Sequence, residues 1–280
     1  MVEYKTLDNI EIDCIIDTFM EAFSDYQISF KRDDIAYMLK RRSFNPSLSL
    51  GAFDNDRLVG FILNGQRTID GVSYVYDTGT GVLKEYRNKK ITQEMIEYLK
   101  PLLNEKGINK YVLEVLMNNE SAYHLYSKVG FKVSREFDCY KRDKNDFNVN
   151  CDYPIKKIDN IQNDLFDKFN DIKPSWQNDI ESIKAVIDSY SIYGAYHNDE
   201  LIGYGIITNK TGDIPQLSVC KEYRNQHIAS SLLCEMQKST TASTLNLVNI
   251  ERGCTSLEGF LKKLDFELSA SQYEMILDIS

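Results

Sequence analysis

Residues Lys84 to Thr92 read KEYRNKKIT, and residues Lys221 to Ala229 read KEYRNQHIA. Each follows an extended apolar run and precedes apolar residues at helical spacing: Met95, Ile96, Leu99, Leu102 and Leu103 in the first case, Ala229, Leu232, Leu233 and Met236 in the second. Each phrase therefore joins a strand to a helix. Such a joint has a chemistry of its own. The first amides of a helix lack intrahelical acceptors and sit at the positive end of the dipole, so they hold a phosphate if the backbone approaches it. An anionic cofactor can dock there. One acid is also out of keeping with its neighbours: Glu114 lies in the middle of the apolar stretch YVLEVLM, where a carboxylate needs a partner or a raised pKa. His124, His197 and His227 form no ligand cluster, and six cysteines are scattered without a CxxC, a pattern that predicts reduced thiols and no metal.

The elements that would position these residues occur twice. GAFDNDRLVGF (51–61) pairs with GAYHNDELIGY (194–204), and FKVSREFDCYK (131–141) pairs with FELSASQYEMI (266–276), in the same order and at nearly the same spacing as the KEYRN phrases. Two copies of one domain, residues 1–145 and 146–280, account for this better than a solenoid, which needs three or more units. In the first copy, LSLGAF and LVGFIL read as a hairpin about the DND turn, VSYVYDTGTGV as another extended segment, and the stretch after KEYRNKK as an amphipathic helix that Pro101 should bend. YVLEVLM reads as a buried strand, NESAYHLYSKVG as a helix stopped by Gly130, and FKVSREFDCYK as a last strand. The second copy repeats that order, giving an α+β fold of two tandem domains, each a mixed, mostly antiparallel sheet flanked by helices.

Composition sets the outer limits. With 280 residues, 42% hydrophobic and 27% charged, the chain has ordinary globular usage and enough material for two cores. A net charge of −9 argues against a nucleic-acid surface, which concentrates Lys and Arg. The opening MVEYKTLDNIEIDC has no basic or apolar leader and no apolar run reaches bilayer length, so a cytoplasmic protein without membrane contact is expected. A monomer and a homodimer both fit.

On two motifs the chain resembles the GNAT superfamily of acyl-CoA-dependent N-acyltransferases. The signature R/Q-x-x-G-x-G/A corresponds to Arg87, Asn88, Lys89, Lys90, Ile91 and Thr92 in the first copy and to Arg224 through Ala229 in the second. NNESAYHLYSKVGF is similar to the family segment N-x-x-A-x-x-x-Y-x-x-x-GF, with Asn119, Ala122, Tyr126, Gly130 and Phe131 in register. The paired arrangement resembles the tandem GNAT proteins of bacteria. The resemblance implies acetyl-CoA as co-substrate, its pyrophosphate wrapped by the amides of residues 87–92 with Asn119 nearby, and its pantetheine arm paired with the strand edge at Val82 and Leu83, whose side chains otherwise read as core.

It also implies a reaction: an amine of a small molecule or peptide attacks the thioester directly, a carboxylate or water takes its proton, and Tyr126 protonates the departing thiolate. Asp77 and Glu114 are the candidate bases. Asp25 and Tyr26 stand where the family walls its acceptor site. Two departures bear on this reading. Neither copy has the loop glycine; Lys90 and His227 take its place, with Lys89 and Lys90 either supplying compensating charge or simply solvated. In the second copy Leu261 replaces the tyrosine and Asp265 the later glycine, so the carboxy-terminal copy reads as degenerate. The alternative for the whole chain is a non-catalytic fold that binds CoA, another metabolite or a partner.

Overall fold

The computed structural model describes residues 2–25, 30–145, 147, 149–159, 169 and 171–279. It divides into two compact units, Met1–Arg135 with Tyr273–Ser280, and Glu136–Gln272. The units therefore part from the repeat boundary at 145. The final strand of each copy is shared: its first residues stay with their own copy and its remainder is built into the other unit.

In the first unit, β1 (Val2–Thr6), β2 (Leu50–Asp54), β3 (Arg57–Ile69) and β4 (Val72–Val82) form an antiparallel run, and β5 (Lys110–Leu116) lies parallel to β4. Residues 273–278 of the chain's last strand lie beside β5, where Ile279 N–H donates to Asn109 O at 2.9 Å. Four helices of this unit are described. α1 (Ile12–Ala22) buries Ile15, Ile16, Phe19 and Ala22, with Phe19 stacked on Phe61 at 5.5 Å. α3 (Ile91–Glu105) buries Ile91, Met95, Ile96, Leu99 and Leu103 against the sheet. Each such side chain contributes about 1.5–3 kcal/mol by leaving water, so this face fixes α3 although Pro101 lacks the amide that a helix interior uses. α2 is Arg32–Arg41 and α4 is Glu120–Lys128, capped by Asn119, whose Oδ1 accepts from Ala122 N–H at 3.2 Å. Phe131, just past α4, is buried beside Tyr111, their rings 5.3 Å apart.

Two features of the sheet matter for chemistry. β4 and β5 are paired only at residues 74–76 and 110–112, yet β4 runs on to Val82 and β5 to Leu116, so the strands part beyond that point. The register of β3 against β4 also shifts, Leu63 facing Gly79 while Asn64 faces Asp77, which leaves Thr78 as an extra residue in a β-bulge.

The second unit contains its own antiparallel sheet in the order β10 (Gln216–Val219), β9 (Glu200–Thr208), β8 (Tyr190–His197), β7 (Ile155–Lys157). Residues 137–143 of β6 (Lys132–Asp143) pair with β11 (Thr244–Glu251), and the first residues of β12 (Glu267–Asp278) lie alongside β6, with Ser271 Oγ donating to Asp138 at 2.6 Å. Its helices are α5 (Ile180–Ala185), α6 (Ile228–Lys238) and α7 (Thr255–Lys263). The chain just ahead of β10 meets β11 at one parallel bridge, Asp213 with Asn246, and β10 itself is not paired with β11, as the outer parts of β4 and β5 are not in the first unit. No helix among the described residues is long and apolar enough to cross a membrane.

Candidate active site

The KEYRN phrase forms a short 3-10 turn, Lys84–Tyr86, followed by a loop that enters α3. Asn88 and Lys90 both take left-handed backbone, with φ of 60° and 63°. In the second unit Asn225 and His227 do the same, at 62° and 61°. This is the conformation that glycine adopts without cost, whereas a residue with a Cβ loses about 1–2 kcal/mol, less for asparagine. The loop has therefore kept the glycine shape without the glycine, and its amides still open onto the start of α3. That shape fits a diphosphate; Lys89 and Lys90 are exposed around it, with the Lys89 ammonium 4.9 Å from the Tyr86 ring centre.

Arg87 turns inward. Its Nε donates to Val82 O at 3.1 Å, its two Nη atoms to the Asp25 carboxylate at 2.7 and 2.9 Å, and Nη2 also to Ala22 O at 2.6 Å. This bidentate pair, with the guanidinium beside it, holds the Asp25 carboxyl below its ordinary range. Arg224 repeats the arrangement, its Nε on Val219 O at 3.0 Å and Nη1 on Asp171 at 2.7 Å. The arginine of the signature thus ties the loop to the end of β4 and to the chain after α1, and Asp25 is its partner. Tyr26 lies outside the described residues. Val82 is partly buried and Leu83 fully buried, with the Leu83 N–H donating to Val59 O at 2.9 Å. Ile91 is buried under α3, Thr92 is partly exposed in its first turn, and Asn119 is exposed at the start of α4.

The proposed acid and one of the two bases come together. Asp77, at the bulge, accepts Gly79 N–H at 2.9 Å on Oδ1 and the Thr80 hydroxyl at 2.6 Å on Oδ2. Tyr126 stands beside the same pair, Thr80 acting to lower its phenol and the Asp77 charge to raise it. Burial pushes the Asp77 carboxyl up to about 6; the Thr80 and Gly79 donors and the Arg42 charge hold it from rising further. Arg42 is anchored nearby, its Nη1 donating to Thr78 O at 2.8 Å. Burial, and then the charge of Asp77, raise the Tyr126 phenol, so it keeps its proton at neutral pH. Its ring packs against Phe131 with centroids 5.6 Å apart.

Glu114 has a different neighbour. It hydrogen-bonds the Tyr76 hydroxyl, and burial together with that carboxylate raises the Tyr76 phenol well above its ordinary value. Strand pleating turns Tyr76 and Asp77 to opposite faces, so the structure joins Asp77, not Glu114, to Tyr126. Thr80 and Arg42 are residues that sequence reading does not single out.

Counting back along the two copies from Val219 and from Phe266, Ile214 stands in place of Asp77, Leu217 of Thr80 and Leu261 of Tyr126. Leu217 faces Gly205 as Thr80 faces Ile62, and both frames end on the pair Val82–Gly60 and its counterpart Val219–Gly203. The gap between β10 and β11 is a cavity of about 520 Å³. Ile214, Leu217, Leu247 and Phe260 line it, and Asn225 and His227 of the loop stand at its wall.

Residues 12–131 match the model of the Acetyltransferase (GNAT) family, so the first unit carries a GNAT domain. A curated relative, N-alpha-acetyltransferase 30 of Schizosaccharomyces pombe, is 30% identical over 87 residues, 31% of this chain and 58% of that protein. The chain thus spans little more than half the length of that relative. A tandem GNAT protein from the clavulanic acid biosynthesis pathway superposes over all of this chain and 99% of its own, at 13% identity and a TM-score of 0.75. A GCN5-related N-acetyltransferase from Sphaerobacter thermophilus covers 99% of this chain and 96% of its own, at 11% identity and a TM-score of 0.70. At such identities these structures speak to the fold, which is that of two GNAT-like domains in tandem.

Proposed function

We propose that the amino-terminal unit transfers an acetyl group from acetyl-CoA to a primary amine of a small molecule or peptide in the cytoplasm. The amine attacks the thioester carbonyl directly, Asp77 accepts its proton, and Tyr126 protonates the leaving thiolate. The observation that carries this reading is the Asp77–Thr80–Tyr126 cluster beside the parting of β4 and β5, a desolvated base and a protonated acid close together. The amides entering α3 supply the diphosphate cradle, Asn88 through Thr92 shape it, Arg87 braces it from behind, and the β4 edge at Val82 and Leu83 supports pairing with the pantetheine arm. The test is thiol release from acetyl-CoA with a panel of amines and amino-terminal peptides, beside thermal unfolding with and without the coenzyme. Binding at 100 times Kd adds about 2.7 kcal/mol to stability. No shift and no thiol release would end this reading.

The cavity supports a second reading for the carboxy-terminal unit: it holds a coenzyme-like ligand without reacting, because the three positions that carry acid–base chemistry are aliphatic there. Titration calorimetry with acetyl-CoA then gives two sites per chain, and Ser230→Trp, which fills the cavity mouth, gives one. A single site unaffected by Ser230→Trp would refute it.

A further inference from the structure

We infer that the cavity of the second unit, which rests on the coenzyme reading given above, takes a coenzyme A thioester whose acyl group is a saturated chain longer than acetyl. Its walls have two characters. At the loop stand Asn225, His227 and Ser230, where the first amides and the positive end of α6 suit a phosphate. Deeper along β10 the lining is Ile214, Leu217, Leu247 and Phe260. Ile214 and Val219 are five residues apart, about 16 Å of extended chain, so a ligand anchored at the loop carries its far end onto this apolar wall. The first unit has a carboxylate and two hydroxyls at the positions of Ile214, Leu217 and Leu261. An acetyl group covers little of such a wall. A longer chain covers more, and each methylene moved there from water raises affinity about 4-fold, the equivalent of ~0.8 kcal/mol.

One side of the gap between the strands is closed by the chain itself. Ser175–Asn178 is tied to both strands: Asn178 Nδ2 donates to Val248 O at 2.5 Å, Gln216 Nε2 to Asn178 O at 2.6 Å, and Asn249 Nδ2 to Ser175 Oγ at 3.3 Å. Gln216 Oε1 in turn accepts the Tyr204 hydroxyl at 2.7 Å. Ser175, Asn178, Gln216 and Asn249 are all buried. A bulge in β11 makes this possible, its pairing with β6 shifting between Leu247 and Ile250 and Asn249 taking a φ of 60°, which leaves Val248 O to Asn178. These amides are engaged within the protein, so the side they close encloses a hydrocarbon chain and makes no claim on its hydrogen bonds.

The test is titration calorimetry on the full chain with CoA and its acetyl, butyryl, hexanoyl and octanoyl thioesters, in wild type and in Ser230→Trp. One site in wild type should tighten by about 4-fold per methylene between acetyl and hexanoyl, and that gradient should vanish in Ser230→Trp. Leu217→Thr, which installs the residue of the first copy, should weaken hexanoyl-CoA roughly 10-fold and leave CoA itself within about 2-fold, a split that a general loss of structure would not produce. If CoA and every thioester bind the second site alike, the acyl assignment falls and the coenzyme reading stands. If no CoA species occupies a site that Ser230→Trp removes, both fall. Hexanoate alone binding as tightly as hexanoyl-CoA would make the occupant a fatty acid and overturn the thioester.

Discussion

Replacing Asp77 by asparagine should make the protein both slower and more stable, and the second effect can be worked from the structure. The folded chain holds the Asp77 proton to about pH 6 against an ordinary value of 3.8. Between those limits the unfolded chain has released the proton while the folded chain retains it. Stability is thus highest below 3.8, falls as pH rises through 6, and is level above it. The loss is about 2 pKa units, on the order of 3 kcal/mol at neutral pH. Asparagine cannot ionise and escapes this loss, while still able to accept the Gly79 N–H. Asp77→Asn should therefore exceed wild type by up to about 3 kcal/mol at pH 7.5, and by only about 0.5 kcal/mol at pH 4. The assay is urea unfolding followed by hydrogen exchange of the β3 and β4 amides, which report on the first unit; Trp176, the sole tryptophan, lies in the second. Turnover should drop by roughly 10²- to 10⁴-fold, and the rising limb of kcat/KM near pH 6 should vanish. Equal stability differences at both pH values, or an asparagine variant weaker at pH 7.5, would mean that the ionised carboxylate is well solvated, and the assignment of Asp77 as base would lose its physical ground.

Other outcomes follow from single residues. Tyr126→Phe should lower kcat by roughly 10²- to 10⁴-fold with little change in acetyl-CoA affinity measured by calorimetry. Gly65→Ala would place a Cβ 1.9 Å from the Arg42 carbonyl oxygen, so it should cost at least about 1–3 kcal/mol in urea unfolding and disturb Asp77 through Arg42. Lys90→Gly removes the left-handed strain of a residue with a Cβ but frees the unfolded chain, for a net gain on the order of 0.5 kcal/mol by the same method.

Much of the scaffold was legible because its signals are local. The apolar spacing of Met95, Ile96, Leu99 and Leu103 marks α3, and the GAF and GAY phrases mark corresponding hairpins. The proposed acid was legible only through the motif around Tyr126, since a helical tyrosine is otherwise a core residue with a polar rim. Thr80 was hidden by strand arithmetic. Residues three apart on a regular strand face opposite sides, so Asp77 and Thr80 should not meet; the extra residue at Thr78 reverses the alternation and brings them together. Nothing in the letters DTGTG announces that bulge. The loop was misleading in the other direction: missing glycines suggest a lost shape, yet Asn88 and Lys90 adopt it, as Asp265, with φ of 55°, adopts the turn of Gly130 in the second copy. Nor does the sequence disclose the cavity between β10 and β11, because two strands that share one bridge read the same as two that pair throughout.

The first unit takes residues 273–280 as part of itself, more than a hundred residues after its other strands have been laid down. A ribosome emitting this chain exposes the β5 border, with no neighbour yet available, for the whole time that it spends on the second copy. Closing so long a loop slows completion more than it weakens the finished product, and a bare border invites the wrong partner meanwhile. The bulk of the catalytic candidate is thus synthesised early and finished late, which ties completion of the first unit to translation of the second copy.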